Sequence, residues 1–363
     1  MKLIAFYLPQ FHEIKENNEW WGQGFTEWTN TKKANKLFYN HNQPREPLND
    51  YYYNLLDNKT KIWQTDLANK YGIYGFCYYH YWFNGKMLLE KPLEQVLKMS
   101  ELKQNFCISW ANEPWTRSWY AGREREVLIE QNYGDKREWK EHLDYLIQFF
   151  NDERYIKVNN KPMLLIYRPE SIECFDEMIG FWEEEMKKIG FAGIHIVKML
   201  NCFENNPINS KLINYNVEFE PGYTIKDDLP INYKYFRKVR RLGNKLASKL
   251  KIKNKIFLDI IDYNVVWNRI IRRNHKFPTY LGAFVDWDNT ARRGENALIM
   301  KNNGVENFKK YFEIQVKRSK KENNEFLFIN AWNEWAEGTY LEPDKRNGYK
   351  YLEAIKEVMD KNV

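Results

Sequence analysis

Two glutamates near the C-terminal end of the chain stand three residues apart among tryptophans. Glu334 and Glu337 belong to the segment 332–337, which reads Trp-Asn-Glu-Trp-Ala-Glu and follows the apolar run 326–329. This order predicts a strand that delivers two carboxyl groups into an aromatic-lined site. Cleavage of a glycosidic bond needs one group to protonate the leaving oxygen and a second to act as base or nucleophile. The pattern therefore favours sugar chemistry, although glutamates at this spacing are also common on solvated helix faces.

Further acids, aromatic residues and amides cluster along the chain and are candidates for binding sugar hydroxyls. Glu27 is a candidate ligand, with an N-cap or a loop-fixing role as the alternative. Glu113 is a second candidate, with an ion pair to Arg117 as the alternative. Arg168 is either a structural salt-bridge partner or a contact to substrate or to a catalytic glutamate. The remaining candidates are Trp28, Tyr79, His80, Tyr81, Trp82, Trp110, Asn112, Trp287, Asp288, Asn333 and Trp335.

The sequence predicts no metal site and no cofactor. His12 and His80 lack a recognisable metal-ligand spacing. The segment 286–288 reads Asp-Trp-Asp, a pattern used by metal- and nucleotide-sugar-dependent transferases, but a pattern this short often arises by chance. No Gly-rich phosphate loop occurs in a suitable context.

Charge and composition exclude several classes of protein. The net charge is +7, but residues 226–276 alone hold 15 Lys/Arg and 4 Asp/Glu, so the basic excess is local. A general nucleic-acid binder would combine a basic face with a matching motif, and none is present. Four scattered cysteines predict reduced thiols in a cytoplasmic protein. The apolar start fits a first core strand better than a signal peptide, and no apolar run approaches the length of a membrane span.

Short apolar runs alternate with longer helical patterns, which predicts an α/β fold of the (β/α)₈ TIM-barrel type. The C-terminal ends of the candidate strands carry polar groups beside aromatic residues, whereas their N-terminal ends are plainer, as expected when one barrel face holds the site. Of the eight predicted strand–helix units, the sixth has the weakest sequence pattern. Candidate helices cover 57–71, 88–102, 136–151, 171–189 and 305–321. Candidate strands cover 2–8, 72–79, 105–110, 162–167, 193–199, 213–219, 280–285 and 325–331.

We expect a single catalytic domain over residues 1–363, with two additions to the simple barrel. Residues 13–56 form a long first loop that is expected to be a wall of the site. Residues 221–278 form a basic insertion with an amphipathic helix at 234–253. That helix is either a solvated surface element or a docking surface for something anionic, such as the inner membrane leaflet or a phosphate-bearing, lipid-linked glycan.

Six segments of the chain, taken together and in order, resemble the WbsX-type group, which is related to glycoside hydrolase family 99. The resemblance covers nearly the whole chain and weakens only in the basic insertion. The segments are 7–12, 24–30, 78–83, 110–117, 287–293 and 332–337.

The resemblance implies a barrel that acts on α-linked, mannose-like glycans with retention of configuration. It assigns Glu334 as the base that helps the sugar's own 2-hydroxyl attack the anomeric carbon, and Glu337 as the general acid/base. Ala336 departs from the hydrolases, which commonly carry His at that position. WbsX-type proteins are associated with O-antigen and capsule synthesis and are often labelled glycosyltransferases. Hydrolysis, transfer from a nucleotide-sugar or lipid-linked donor, and non-catalytic glycan binding therefore remain open.

Overall fold

Eight parallel strands form the centre of the protein, in a computed structural model that describes residues 1–117, 126–202, 208–249 and 257–362. Each strand pairs with its neighbours, and the last pairs with the first through Lys2 opposite Phe326, so the sheet closes. The predicted (β/α)₈ barrel is confirmed, including its sixth strand. In chain order, β1 to β8 are Lys2–Tyr7, Gly75–Phe83, Asn105–Trp110, Lys161–Ile166, His195–Leu200, Tyr215–Glu218, Thr279–Phe284 and Phe326–Asn330.

Helices follow the strands and cover the outside of the barrel. Each of the five predicted helices is present, with ends shifted by up to four residues. The helices α1 to α11 are Lys15–Trp21, Glu27–Lys33, Asn58–Lys70, Lys91–Lys98, Lys136–Phe150, Phe175–Lys188, Ile231–Lys249, Tyr263–Ile270, Thr290–Arg293, Val305–Lys321 and Lys350–Lys361. Short paired strands outside the barrel are Lys86–Leu88, Trp115–Thr116, Val127–Ile129, Lys157–Val158, Asp259–Asp262, Leu298–Lys301, Asn333–Glu334 and Thr339–Tyr340.

Aromatic rings fill the barrel interior beneath its C-terminal end. Phe6 of β1 lies at the centre of this packing. Its ring centroid is 6.1 Å from that of Tyr79, 5.1 Å from that of Phe219 and 5.6 Å from that of Phe328. Large apolar rings bury much surface per residue, so these four rings pack densely beneath the site.

The long first loop is attached to the C-terminal end of β7, two strands away from β1 around the barrel, by buried polar contacts. His41 Nε2 lies 2.8 Å from Asp288 Oδ2, and the Gln43 side-chain amide donates to the same oxygen at 2.7 Å. The Arg45 guanidinium donates to Asp286 at 2.9 Å. Because these groups are buried and hydrogen-bonded, they hold the loop in one place against the strand end of β7.

The basic insertion contains the predicted amphipathic helix, α7, which begins at Ile231. The helix was predicted over 234–253, and residues 250–253 lie outside the described part of the chain. A turn of π-helix at Thr224–Asp228 precedes it. Within the described residues, none of the helices has the length and apolar character that a bilayer-spanning segment requires.

Gly282 of β7 provides a test of the barrel packing. A Cβ at this position would lie 2.3 Å from the backbone oxygen of Glu218 in β6. We expect Gly282→Ala to lower the free energy of unfolding by roughly 1–3 kcal/mol, because neighbouring backbone must shift. Gly180→Ala is the matched control: its Cβ would meet nothing within 4 Å, and alanine is the better helix former by about 1 kcal/mol. Urea unfolding of both variants measures the difference, and equal stabilities would contradict the packing.

Candidate active site

A large open cavity lies at the C-terminal end of the barrel, with a volume of about 1340 Å³. Typical small-molecule pockets hold roughly 300–1,000 Å³, so this one has room for several sugar rings. Its wall includes the first loop through Trp21, Phe25, Glu27 and Asn30, as predicted for residues 13–56. Of the other predicted site residues, it is lined by Tyr79, Tyr81, Glu113, Trp287, Glu334 and Glu337.

One arginine joins three glutamates in the wall of this cavity. Arg292 Nη1 donates to Glu337 Oε1 at 2.7 Å, and Nη2 donates to Glu334 Oε2 at 3.1 Å. Its Nε donates to Glu27 Oε1 at 2.8 Å. All four side chains are at most 12% exposed. The two predicted catalytic carboxyl groups therefore share one cavity and one cation.

The segment that follows β8 places Glu334 and Glu337. Asn333 fixes this segment to the end of β1: the Asn333 side chain accepts a hydrogen bond from the Leu8 amide at 2.8 Å and donates one to the Leu8 carbonyl at 3.0 Å. Asn333 and Glu334 then pair with Thr339–Tyr340, and the single 3₁₀ turn Trp335–Glu337 carries the second glutamate. Gly338 closes this turn at φ +66°, where a Cβ would lie 2.9 Å from the Asp288 carbonyl oxygen.

Trp335 and Trp28 pack behind the segment that carries Glu334 and Glu337, and neither lines the cavity. The Trp335 ring stacks on Tyr340 at 3.8 Å, and its indole N–H donates to Glu342 at 2.6 Å. The Trp28 ring lies 5.3 Å from that of Trp335, and its N–H donates to the Tyr53 carbonyl at 2.9 Å. Both tryptophans are buried and fix the backbone that presents the glutamates.

Two short helices bring Glu27 and Arg292 to the same point. Glu27 opens α2, where its backbone amide donates to the Gln10 carbonyl at 2.9 Å beyond the end of β1. Arg292 lies on α9. Between these helices Ala336 is fully buried in a small cluster with Ala34 and Ala291. A bulky side chain at 336 would push α2 and α9 apart, so this alanine permits the contact between Glu27 and Arg292.

Three carboxylates around one guanidinium leave the cluster with excess negative charge when all are ionised. Burial raises the pKa of Glu334 to about 8, against the lowering effect of Arg292. Burial also raises the pKa of Glu337. Such pairs titrate together, and both shifts favour the retention of a proton by the pair near neutral pH. A buried carboxylic acid beside a carboxylate is what general acid–base catalysis requires.

Aromatic and polar groups complete the cavity wall. Tyr81 packs edge-on against Trp115 with ring centroids 5.2 Å apart, and Trp287 exposes part of its ring. Glu113 pairs with Arg168 at 3.5 Å, rather than with Arg117 as the alternative interpretation expected. Burial raises the pKa of Glu113 despite that arginine. These groups offer ring faces and oxygen acceptors to a sugar.

His80, Trp82 and Trp110 were predicted to bind substrate, but they lie outside the barrel interior and do not line the cavity. Side chains alternate along a strand, so Tyr79 and Tyr81 face inward while His80 and Trp82 face the helices. His80 Nε2 lies 3.0 Å from His142 Nε2 on α5, and Trp82 stacks on that histidine at 4.4 Å. The Trp110 ring lies 4.7 Å from His142 in the same cluster.

Asn112, Arg168 and Asp288 also hold structure together rather than lining the cavity. The Asn112 side chain accepts from the Arg168 amide and donates to its carbonyl, both at 2.8 Å, which joins the ends of β3 and β4. Asp288 receives the first-loop contacts from His41 and Gln43. Burial opposes it, but the His41 hydrogen bond and the nearby Arg45 lower the Asp288 pKa.

The Asp-Trp-Asp segment does not have the character of a metal site. Asp286 is occupied by Arg45 and Asn303, and Asp288 is occupied by the first loop. Across the four described ranges, no three His, Cys, Asp or Glu side chains converge in a way that would hold a metal ion.

Two features of the site were not among the predicted residues. The first is Arg292, which lies in the quoted segment 287–293 but was not distinguished from its neighbour Arg293. The second is a basic wall from the insertion, where the buried ammonium group of Lys226 has no hydrogen-bond partner among the residues that the structure describes. The other basic lining residues of the insertion, from α7, are Lys234, Arg237, Lys238, Arg240, Arg241, Lys245 and Lys249.

The family described as "Glycosyltransferase WbsX" matches residues 3–355. The chain belongs to this family. Two proteins described as "Uncharacterized protein WxcX", from two strains of Xanthomonas campestris pv. campestris, are each 32% identical to it over 365 residues. The alignment covers 98% of this chain and 49% of each relative, so the chain spans about half the length of the curated relatives it matches.

Solved structures resemble this WbsX-family chain in fold. A GH99 endo-α-mannosidase from Bacteroides thetaiotaomicron superposes with a TM-score of 0.57 and 13% identity, covering 99% of this chain and 96% of that one. A glycoside hydrolase-like protein superposes with a TM-score of 0.58 and 13% identity, covering 98% and 93%. At identities this low, the likeness to these structures shows a shared fold alone. The WbsX family, to which the chain belongs, is one of carbohydrate-active enzymes that act on glycans.

Removing Arg292 tests the electrostatics of the cluster. Glu334 has a pKa of about 8 in the folded state against an ordinary 4.5, so the folded protein binds more protons between those values. The free energy of unfolding therefore falls as pH rises from about 4.5 to about 8. Arg292→Met should raise the carboxyl pKa values further. The variant should therefore lose little free energy of unfolding relative to the parent near pH 4.5, and about 3–5 kcal/mol near pH 8. Urea unfolding at both pH values measures it.

Arg293→Met is the matched control, because Arg293 is the exposed neighbour on the same helix. We expect it to change stability much less than Arg292→Met does at either pH, although its charge also lowers the Glu337 pKa. An equal loss for both variants, or a loss from Arg292→Met that does not grow with pH, would contradict the shared-proton cluster.

Proposed function

We propose that the protein is a retaining carbohydrate-active enzyme. Its substrate would be an α-linked, mannose-like bond in a bacterial surface polysaccharide, such as O-antigen or capsule, or in a precursor of it. The observation that carries the proposal is the contact of Arg292 with both Glu334 and Glu337 inside a ring-lined cavity. The endo-α-mannosidase with the same fold supports the choice of sugar.

In the first step, the Glu334 carboxylate accepts the proton of the sugar's 2-hydroxyl while O2 attacks the anomeric carbon. The glycosidic C–O bond breaks, and Glu337 gives its proton to the leaving oxygen. In the second step, Glu337 takes a proton from the incoming water or sugar hydroxyl, whose oxygen opens the strained ring at the anomeric carbon. Glu334 returns its proton to O2. Two displacements at one carbon retain its configuration.

The shared proton of the cluster suits this sequence. The reaction starts with one proton on the two catalytic glutamates, and burial keeps such a proton bound near neutral pH. The mechanism needs it on Glu337 when sugar is bound. Arg292 would limit the charge that builds up on both glutamates as the proton moves.

Substitution of each glutamate separates their roles. Glu337→Gln should cut turnover of an α-mannose oligosaccharide roughly 10²–10⁴-fold, because the leaving oxygen then departs without a proton. It should retain activity on dinitrophenyl α-mannoside, whose leaving group needs no protonation. Glu334→Gln should lose activity on both substrates, since attack by the 2-hydroxyl still needs a base. Initial rates on the two substrates measure the pattern.

Glu113→Gln is the control within the same cavity. Glu113 is proposed to bind sugar hydroxyls, so this variant should raise KM while keeping the parent's ratio of rates on the two substrates. If Glu334→Gln kept activity on the dinitrophenyl substrate and Glu337→Gln lost activity on both substrates, Glu334 would be the acid and Glu337 the base. Full activity in both Glu334→Gln and Glu337→Gln would refute the proposed function.

A glycosyltransferase that builds the same polysaccharide is the second candidate. The family description and the basic wall of the cavity favour it, because lysines and arginines suit the phosphates of a nucleotide-sugar or lipid-linked donor. The occupation of Asp286 by Arg45 weighs against a metal-dependent nucleotide-sugar site. Incubation of defined oligosaccharides with and without nucleotide sugars, followed by mass spectrometry of the products, distinguishes the two functions. Turnover that requires the nucleotide sugar would favour the transferase.

The proposed partner is an oligosaccharide or lipid-linked glycan, with no role for nucleic acid. The proposed location is the cytoplasm, at or near the inner membrane. All four cysteines are free, as expected for a reducing compartment.

A further inference from the structure

Helix α7 exposes an unusual amount of apolar surface. Ile231 is 86% exposed, Tyr235 64%, Leu242 60%, Leu246 53% and Val239 48%. Their spacing puts all five on one stripe along a helix of 19 residues, which is about 28 Å long. A contiguous apolar stripe of this kind marks an interaction surface rather than an ordinary solvated face.

A basic stripe runs beside the apolar one. Lys238, Arg241 and Lys245 are exposed and lie three or four residues apart, so they occupy one edge of the apolar stripe. The same three residues line the cavity that contains the catalytic glutamates.

The remaining face of α7 fixes the helix to the protein. Arg237 makes three hydrogen bonds to Asp259, the shortest at 2.7 Å, and Arg240 donates to the Ile260 carbonyl at 3.0 Å. The Asn244 side chain donates to the Phe257 carbonyl at 2.7 Å. Because this face is held, the apolar and basic stripes point outward together.

We propose that α7 docks the protein on the surface of an anionic lipid bilayer. The apolar stripe would enter the boundary between headgroups and acyl chains, and the basic stripe would contact the anionic headgroups. Charge complementarity favours a bilayer over a second copy of the chain, because anionic headgroups pair with the basic stripe, whereas a second α7 presents only the same basic stripe.

Docking in this orientation places one wall of the active-site cavity at headgroup level. A glycan attached to a lipid would then reach Glu334 and Glu337 along the basic residues of α7. The docking itself goes beyond the proposed function and does not depend on it, since it can be measured without any turnover.

Flotation with lipid vesicles tests the proposal on the full chain. We expect the protein to float with vesicles of phosphatidylcholine and phosphatidylglycerol, and much less with phosphatidylcholine alone. Binding should weaken as salt rises, because surface charges are screened. Val239→Ser/Leu242→Ser/Leu246→Ser should weaken binding about tenfold or more, since it removes much of the inserted apolar area. Lys238→Gln/Arg241→Gln/Lys245→Gln should remove the preference for the anionic lipid.

Matched controls change the same residue types elsewhere. Ile62→Ser/Ile189→Ser/Ile314→Ser replaces exposed aliphatic residues outside α7, and Lys59→Gln/Lys310→Gln/Lys321→Gln replaces exposed lysines. Both should bind vesicles as the parent does, and light scattering with thermal unfolding checks that every variant stays folded. The proposal is overturned if the parent fails to float with anionic vesicles, or if the apolar variant floats as well as the parent. A dimer that dissociates only in the apolar variant, without vesicle binding, would assign the stripe to a second copy.

Discussion

The structure of the site depends on the buried contact of one guanidinium with three carboxylates. Glu27, Glu334 and Glu337 come from opposite ends of the chain, and repulsion would separate them if Arg292 did not lie between them. Burial makes this cluster strong and also costly, since each charge has lost its water. Burial raises the pKa of both Glu334 and Glu337, which favours keeping a proton in the cluster, and the acid catalysis that we propose would use such a proton.

The rest of the barrel end keeps the cluster in place. The first loop is held against the barrel by two aspartates. Asp288 contacts His41 and Gln43 of the loop, and Asp286 accepts a hydrogen bond from Arg45 of the loop. The acids of the Asp-Trp-Asp segment therefore organise the wall of the site. Packing of Ala336 between α2 and α9 then sets how closely the helices bearing Glu27 and Arg292 approach.

The fold was largely predictable from the sequence, and the site only in part. Buried parallel strands are continuous apolar runs, so all eight could be located to within a few residues. Successive side chains on a strand point to opposite faces, so two of the residues 79–82 must face the barrel interior and two must face the helices. The sequence does not say which two face inward. That depends on strand register, so His80 and Trp82 were indistinguishable from Tyr79 and Tyr81. Arg292 could not be singled out, because only tertiary structure distinguishes it from Arg293.

We propose that a sugar ring binds between Glu334 and Glu337 while Arg292 contacts both glutamates. The most direct measurement is a crystal structure of the Glu337→Gln variant with an α-mannose oligosaccharide bound. We expect the scissile oxygen within hydrogen-bond distance of position 337, the neighbouring 2-hydroxyl against Glu334, and Arg292 still bridging Glu27 and Glu334. A sugar bound away from these residues, or with its 2-hydroxyl turned from Glu334, would contradict it.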